Sequence, residues 1–351
     1  NMHWILEKNM QNSNKMNSRK ILHVMVVEKF LAPYIDFVDE HFGREGHHYV
    51  FITSEKYQYG LTPEHNVEFL HTDDDIFITL LAYIKMAKKI ILHGLWRDKV
   101  DVLLYFNQEF LKKCYWVMWG GDFYFPETKS KIRHEIIKNM GYLLTGMEGE
   151  VELIRKEYQA KGKHIKLSVG YPSNIFEEHK YQIKSLNTIN ILVGNSATQT
   201  NNHLKIFDKL LPFKNEKIKI YVPLSYGDKS YAKEIEKIGH KYFGEQLIPL
   251  FNFMSNTEYT DFLSNIHIAI FNHSRQQGIG NIIKLLGLGK KVFIRNDITS
   301  WEYFEKLGIK IFDNRIIDLS ILDNDTKKNN RKKIKKIFSE KKLRNEMKKI
   351  Y

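Results

Sequence analysis

Short apolar runs alternate with segments of helical period along almost the whole chain, and that alternation leaves few folds open. Ile21 to Val27 reads as a strand. Pro33 to Phe42 reads as a helix, with its proline early and Ile35, Val38 and Phe42 on one side. Tyr49 to Thr53 and Val67 to Leu70 are strands, Ile76 to Ala87 is a helix, and Ile90 to Leu92 is a strand ending at His93-Gly94. Val100 to Lys113 reads as helix, and Tyr115 to Trp119 as a strand running into Gly120-Gly121-Asp122. Tyr142 to Leu144 and Lys166 to Val169 are strands with a helix, Glu148 to Gln159, between them. A second series of strands follows at Ile189 to Val193, Ile218 to Val222, Ile248 to Phe251, Ile266 to Phe271, Lys291 to Ile294 and Lys310 to Phe312. The pattern predicts an α/β class with doubly wound, largely parallel sheets.

A length of 351 residues suits two such domains. Tyr171 to Thr188 has little apolar periodicity and holds Pro172, Ser173 and Asn174, so the boundary is expected near residue 180. The first domain is then 19–180 and the second 181–325. Residues 1–18 are polar, rich in Asn and Met and free of a secretory signal pattern, and read as disordered or foreign to the folded protein. No run approaches the ~20 apolar residues that span a bilayer. The single cysteine, Cys114, excludes an internal disulfide, fits a reducing cytoplasm and lies in an apolar stretch typical of a core position.

The net charge of +13 is concentrated. Residues 326–351 hold 12 Lys or Arg against Glu340 and Glu346, so this segment supplies +10. A basic body would point to nucleic acid; a basic tail points to a tether on anionic lipid, or to a solvated extension. Few aromatics interleave with the tail, which disfavours base stacking. Its apolar residues form two short sets, Ile334, Ile337, Phe338 and Leu343, Met347, Ile350, rather than one stripe.

Phe251 to Arg295 carries the strongest chemical signal. A helix around Thr257 to Asn265 leads to the apolar run Ile266 to Phe271. Gly278-Ile279-Gly280 then opens a helix, Asn281 to Leu288. Glycines at a strand-to-helix turn permit close backbone approach, and the helix start presents unpaired N–H groups to an anion. Arg275, just before the turn, adds a planar positive fork suited to a diphosphate. A lone G-x-G also occurs as simple turn chemistry. In open α/β sheets ligands gather beyond the carboxyl ends of strands. Gly194, Asn195 and Ser196 stand at such an end; Ser196 could equally cap the following helix. Pro223, Ser225 and Tyr226 follow the next strand, where Tyr226 could stack on a ligand or sit in a plain turn. In the first domain Asp122 could act as general base on an acceptor hydroxyl or close an Asx turn. His93 could be a base, a phosphate contact or a satisfied core histidine. Trp119, Gly120, Gly121 and Tyr124 form an aromatic, flexible surround for a sugar, and Lys29 could meet an acidic substrate. No D-x-D lies between strands in the way that holds a divalent ion for nucleotide sugars, no Cys/His ligand spacing calls for a metal, and no P-loop is present.

The order helix, strand, Ser274, Gly278, Gly280 and a helix ending in Gly289-Lys290 resembles the donor-binding half of GT-B glycosyltransferases. The acidic ribose contact of many members falls at Lys284 here. MWGGDFY at 118–124, ILVGNSATQTNNH at 191–203, YVPLSYG at 221–227 and RQQGIG at 275–280 together resemble the TDP-Fuc4NAc:lipid II Fuc4NAc transferase family of enterobacterial common antigen assembly. The likeness implies two Rossmann-like domains facing across a cleft and transfer of a deoxyamino sugar from a nucleoside diphosphate to a lipid-linked saccharide at the cytoplasmic membrane face. It implies no cofactor or metal. It also implies donor contacts from Gly194, Asn195, Ser196, Tyr221, Pro223, Ser225, Tyr226 and Arg275 to Asn281 (Gln276, Gln277, Gly278, Ile279, Gly280 included), with Asn252 and Phe253 at the nucleobase. Two rivals remain at this stage: a GT-B enzyme using another donor on capsule or O-antigen, and a basic nucleic-acid-binding protein.

Overall fold

The computed structural model describes residues 15–56, 58–178 and 187–351. Two compact units result. Asn174–Ser339 forms one; the chain before it, with Glu340–Tyr351, forms the other. The division falls at Ser173/Asn174 and again at Ser339/Glu340, whereas the expected boundary near residue 180 lies outside the described residues.

The first unit holds a seven-stranded sheet of β1 (Ile21–Met25), β2 (His47–Phe51), β3 (Glu68–Phe69), β4 (Lys89–His93), β5 (Cys114–Val117), β6 (Tyr142–Thr145) and β7 (Lys163–Lys166). Their order is β3-β2-β1-β4-β5-β6-β7, parallel throughout. The chain order turns back between β1 and β4, where Ile21 registers with both His47 and Lys89. The second unit holds β8 (Ile189–Val193), β9 (Ile218–Pro223), β10 (Leu247–Leu250), β11 (Ile268–Ile270), β12 (Lys291–Ile294) and β13 (Phe312–Asp313) in the order β10-β9-β8-β11-β12-β13, again parallel. Its turning point lies between β8 and β11. Every residue of β1, β11 and β12 is buried, as expected of strands covered by helices on both faces.

Two local readings are corrected, and three helices are added. Val100 to Lys113 is not one helix: Asp98–Tyr105 is α-helical and Gln108–Lys113 is a 3₁₀ segment. The break is at Asn107, whose side-chain amide takes the Leu103 carbonyl at 2.8 Å. The strand expected at Lys166 to Val169 lies at Lys163–Lys166, because the apolar Leu167 and Val169 are buried in the loop beyond it. The helices Lys131–Asn139, Lys229–Phe243 and Thr299–Lys306 had no counterpart in the sequence reading.

The basic segment after residue 325 is not a loose extension. Asn324–Ile337 is a helix capped by the Asp323 carboxylate, which accepts from the Thr326 N–H at 2.8 Å, and it buries Ile334 with Phe338 in the second unit. Asn330 binds both the N–H and the carbonyl of Lys310 at 2.8 and 2.9 Å. Glu340–Met347 belongs to the first unit. There the Glu346 carboxylate accepts from the Ser168 N–H at 2.8 Å, while Leu343, Met347 and Ile350 are buried. The two short apolar sets are therefore two separate packing faces, one for each unit.

Candidate active site

The carboxyl edge of the second sheet is a continuous polar network. Gly194 follows β8 with φ of +69°, and a Cβ there would come 2.6 Å from His203 Nε2. Only glycine fits that turn. The next residue, Asn195, is buried. Its main-chain N–H donates to Asn201 Oδ1 at 2.9 Å, and its side-chain amide donates to the Tyr226 hydroxyl at 3.1 Å. His273, two residues past the Phe271 that follows β11, places Nε2 3.0 Å from both Asn195 Oδ1 and Asn201 Oδ1. Those carbonyl oxygens only accept, so Nε2 carries the proton. Burial, helped by His203 and Arg275, pushes His273 down to about 3, and the ring is a neutral donor. Gln277 completes the ring of contacts: its amide donates to Thr198 Oγ1 at 3.0 Å and accepts from Thr200 Oγ1 at 2.6 Å.

This network fixes the start of the helix Ile279–Gly287. Gly278 caps it with φ of +66°, and a Cβ would approach His273 Cε1 at 3.1 Å and Asn195 Cγ at 3.3 Å. A Cβ on Gly280 would lie 2.8 Å from Asn174 Oδ1. Gly278 is thus required by its backbone angle, whereas a side chain at Gly280 would have to displace only the Asn174 amide. The bonds of the helix begin with the Asn281 and Ile282 N–H groups on the Gly278 carbonyl, at 3.0 and 3.1 Å, so the N–H groups of Ile279 and Gly280 precede the ladder, and no acidic residue stands in the first turn. Arg275 sits beside this start, one N–H on the Gln276 carbonyl at 2.9 Å. At the other end Gly289 and Lys290 return N–H bonds to Leu286 and Leu285, closing the helix. The edge can therefore seat an anion and polar hydroxyls without further charge.

The structure brings together Gly194, Asn195, Tyr226, Gln277 and Gly278, with Arg275, Gln276, Ile279, Gly280 and Asn281 continuous with them. Ser196 is buried inside the turn, bonded to Thr198 and Asn201, and does not cap the helix, which starts after Asn202. Tyr221 lies within β9, inside the strand expected there, with its ring on Phe262 at 5.3 Å. Pro223 is buried at the end of β9, while Ser225, Asn252 and Phe253 are exposed. Lys284 meets Asn256 on the neighbouring helix. Asn201, Thr198, Thr200 and His273 were missed; the polar run after ILVGNS and the histidine so soon after β11 were the available signals.

The carboxyl edge of the first sheet is different. His93 ends β4 and is 1% exposed. Its Nε2 faces His23 Nδ1 at 3.2 Å and its Nδ1 faces the Tyr171 hydroxyl at 2.9 Å. His23 Nε2 continues to His47 Nδ1 at 2.9 Å. The Trp119 indole N–H donates to the Tyr171 oxygen at 3.0 Å. With the indole as a pure donor, a consistent assignment runs one way: Tyr171 donates to His93, His93 to His23 and His23 to His47, each ring protonated on Nε2. Burial lowers all three histidines, His93 to about 3 and His47 to about 4, so the chain is neutral. Both nitrogens of His93 are engaged, so its geometry suits an anchor for Trp119 rather than a base.

Asp122 also faces inward, 1% exposed. Its Oδ2 accepts from Trp116 Nε1 at 2.9 Å and from the Trp119 N–H at 3.2 Å. This closes the short helix Gly120–Phe123, the turn-closing alternative. Burial raises it to about 6, opposed by the Leu95 and Trp116 N–H groups. Tyr124 is corrected as well: it is part of the core. Lys29 is exposed, and Gly120 is buried.

Comparisons accord with this architecture. HepE of Anabaena, in a crystal structure with UDP and glucose, is similar at a TM-score of 0.69 and 13% identity, over 95% of this chain and 99% of that one. A glycosyltransferase from Rickettsia africae gives 0.67 and 13%, over 96% and 98%. The N-terminal domain of Candida albicans trehalose-6-phosphate phosphatase gives 0.59 and 11%, over 95% of each. At these identities the likeness is one of fold, the GT-B fold. Sequence carries it further: residues 23–338 match the model of 4-alpha-L-fucosyltransferases, glycosyl transferase group 56. The chain belongs to that glycosyltransferase family.

Proposed function

We propose that the protein transfers a deoxyamino sugar of the Fuc4NAc type from a nucleoside diphosphate, TDP in the first instance, to a lipid-linked saccharide during synthesis of a bacterial surface polysaccharide. The observation that carries this reading is the edge of the second sheet, where the Asn195–Asn201–His273–Gln277 network holds Gly278 in place at a helix start beside Arg275. Such a start meets the growing charge of a departing diphosphate with N–H groups and a guanidinium, and needs no metal for it. The UDP seen in HepE is consistent with a nucleotide on this fold. The aromatic edge of the first unit suits the saccharide acceptor.

Membrane attachment is part of the proposal. Among the described residues no helix is long and apolar enough to cross a bilayer. The helices Asn324–Ile337 and Glu340–Met347 turn their apolar residues to the protein and leave Lys328, Lys332, Lys336 and Lys341 exposed, with Lys348 and Lys349 exposed in the turn after them. Attachment to the inner membrane face would then be electrostatic, at about 1 kcal/mol per basic residue.

The test is transfer by the purified protein across a panel of nucleotide sugars, with and without EDTA. Turnover with a TDP-linked 4-amino-4,6-dideoxy sugar, undiminished by chelator, is expected. Exclusive use of an unrelated donor, or loss in EDTA restored by magnesium or manganese, would overturn the corresponding part.

A further inference from the structure

The first unit carries an indole that is bedded but not buried. Trp96, three residues past β4, remains 46% exposed. Its ring spans two glycines. A Cβ on Gly94 would lie 2.6 Å from Trp96 Cδ1 and 2.9 Å from Trp119 Cδ2, and one on Gly121 would run into the far end of the same indole. Gly94 also holds φ of +75°. The chain thus gives up a side chain at two strand ends, after β4 and after β5, and the ring so seated still keeps almost half its surface in water. Exposing a large indole forgoes hydrophobic stabilisation that turning it inward would supply.

Its neighbours form a set. Trp96 and Trp119 have ring centroids 6.0 Å apart; Trp119 meets Phe30 at 5.3 Å and Phe30 meets Tyr171 at 4.6 Å. The Trp119–Tyr171–His93 chain fixes this aromatic group from below. Arg97 is tied by Nε to the Ile52 carbonyl at 2.8 Å, which holds the segment bearing Trp96. A polar group borders the rings: Lys129 donates to the Gly121 carbonyl at 2.8 Å. A fixed aromatic surface with an ammonium at its border matches a pyranose, with C–H groups on its faces and hydroxyls around its rim.

We infer that Trp96, seated on Gly94 and Gly121, is a stacking platform for a sugar ring of the acceptor and a determinant of acceptor specificity. This rests on the glycosyltransferase reading and adds to it a residue of the acceptor subsite. Phe30 and Trp119 form the wall of the platform.

Two measurements test it separately from that reading. The first is steady-state transfer by wild type, Trp96→Ala and Trp96→Phe, using an N-acetylhexosamine disaccharide on a farnesyl diphosphate as acceptor probe. Trp96→Ala is expected to raise the acceptor KM about tenfold with the donor KM unchanged, and Trp96→Phe to stay within about threefold of wild type. An unchanged acceptor KM in Trp96→Ala, or a rise confined to the donor KM, overturns the inference. The second needs no turnover: the free disaccharide is titrated into wild type and Trp96→Phe while indole emission is followed. A saturable change present in wild type and absent in Trp96→Phe is expected; the same change in both, or none in wild type, overturns it. A wild type that transfers to no acceptor counts against the proposed function, and the emission titration then decides the platform by itself.

Discussion

The two sheets share the order of their first six strands, the first sheet adding β7 at its edge, and present opposite chemistry at their carboxyl edges. The second edge is made of amides, hydroxyls and one neutral imidazole that hold a helix start open beside Arg275. The first is made of aromatic rings backed by a buried histidine chain. Parallel packing dictates the strands in both, so the residues just past the strands are where the units are free to differ. Under the proposed function the difference is a division of labour: preorganised polarity where charge would develop, and rigid apolar surface where a sugar would be gripped.

The largest expected effect is in the second unit. Arg275→Ala should cut transfer by roughly tenfold or more, from loss of a charge-assisted bond worth about 1.5–3 kcal/mol, with folding intact. Near-normal turnover in a folded variant would remove the polar edge from the donor assignment.

The counterpart in the first unit is Asp122→Ala. It leaves the Trp116 and Trp119 N–H groups without their acceptor, and should cost about 1–3 kcal/mol of stability while leaving nucleotide affinity unaltered. Unchanged melting with abolished turnover would return Asp122 to the role of base.

A smaller effect is pH-dependent. Burial raises Asp101 and Asp122 to about 6 and Glu150 to about 7, the last further pushed by the charge of Asp122. Carboxyls raised above their unfolded values favour the fold below pH ~4, and this advantage is lost as pH rises through about 6 to 7. Glu150→Gln keeps an acceptor for Thr145 and removes the charge, so it should flatten the decline from pH 5 to pH 8 and raise Tm at pH 8 by roughly 2–4 °C. An equal decline in the variant would show that the buried carboxyls do not govern it.

Smallest is charge reversal at Lys332, Lys333, Lys335 and Lys336. It breaks the exposed Lys335–Glu178 pair, at little cost to stability, and should weaken binding to anionic vesicles most at low salt. Unaltered vesicle binding would sever the tail from the membrane.

Most of the strands were legible because an apolar run bounded by turn residues has few alternatives, and the α/β class followed. The glycines at Gly194 and Gly278 were legible because a strand-to-helix turn needs their backbone angle. His93 and Asp122 were not: a titratable residue at a strand end looks the same whether it faces solvent or the interior, and the partners that decide it, His23 and Tyr171 or Trp116 and Trp119, become neighbours only through the fold. Tyr221 fell inside the strand expected for it, but its packing on Phe262 was not legible, because the two rings meet only through the fold. The charge and the two apolar sets of the tail were visible in sequence; that each set packs on a different unit was not, because the division at Ser339/Glu340 arises only in the fold.

The division of labour is tested most directly by a crystal of the protein soaked with TDP. The diphosphate is expected at the start of Ile279–Gly287, within hydrogen-bond distance of the first N–H groups and of Arg275, with the aromatic edge of the first sheet unoccupied by nucleotide. Nucleotide stacked on Trp96 or Trp119, with the Gly278 turn empty, would contradict the account.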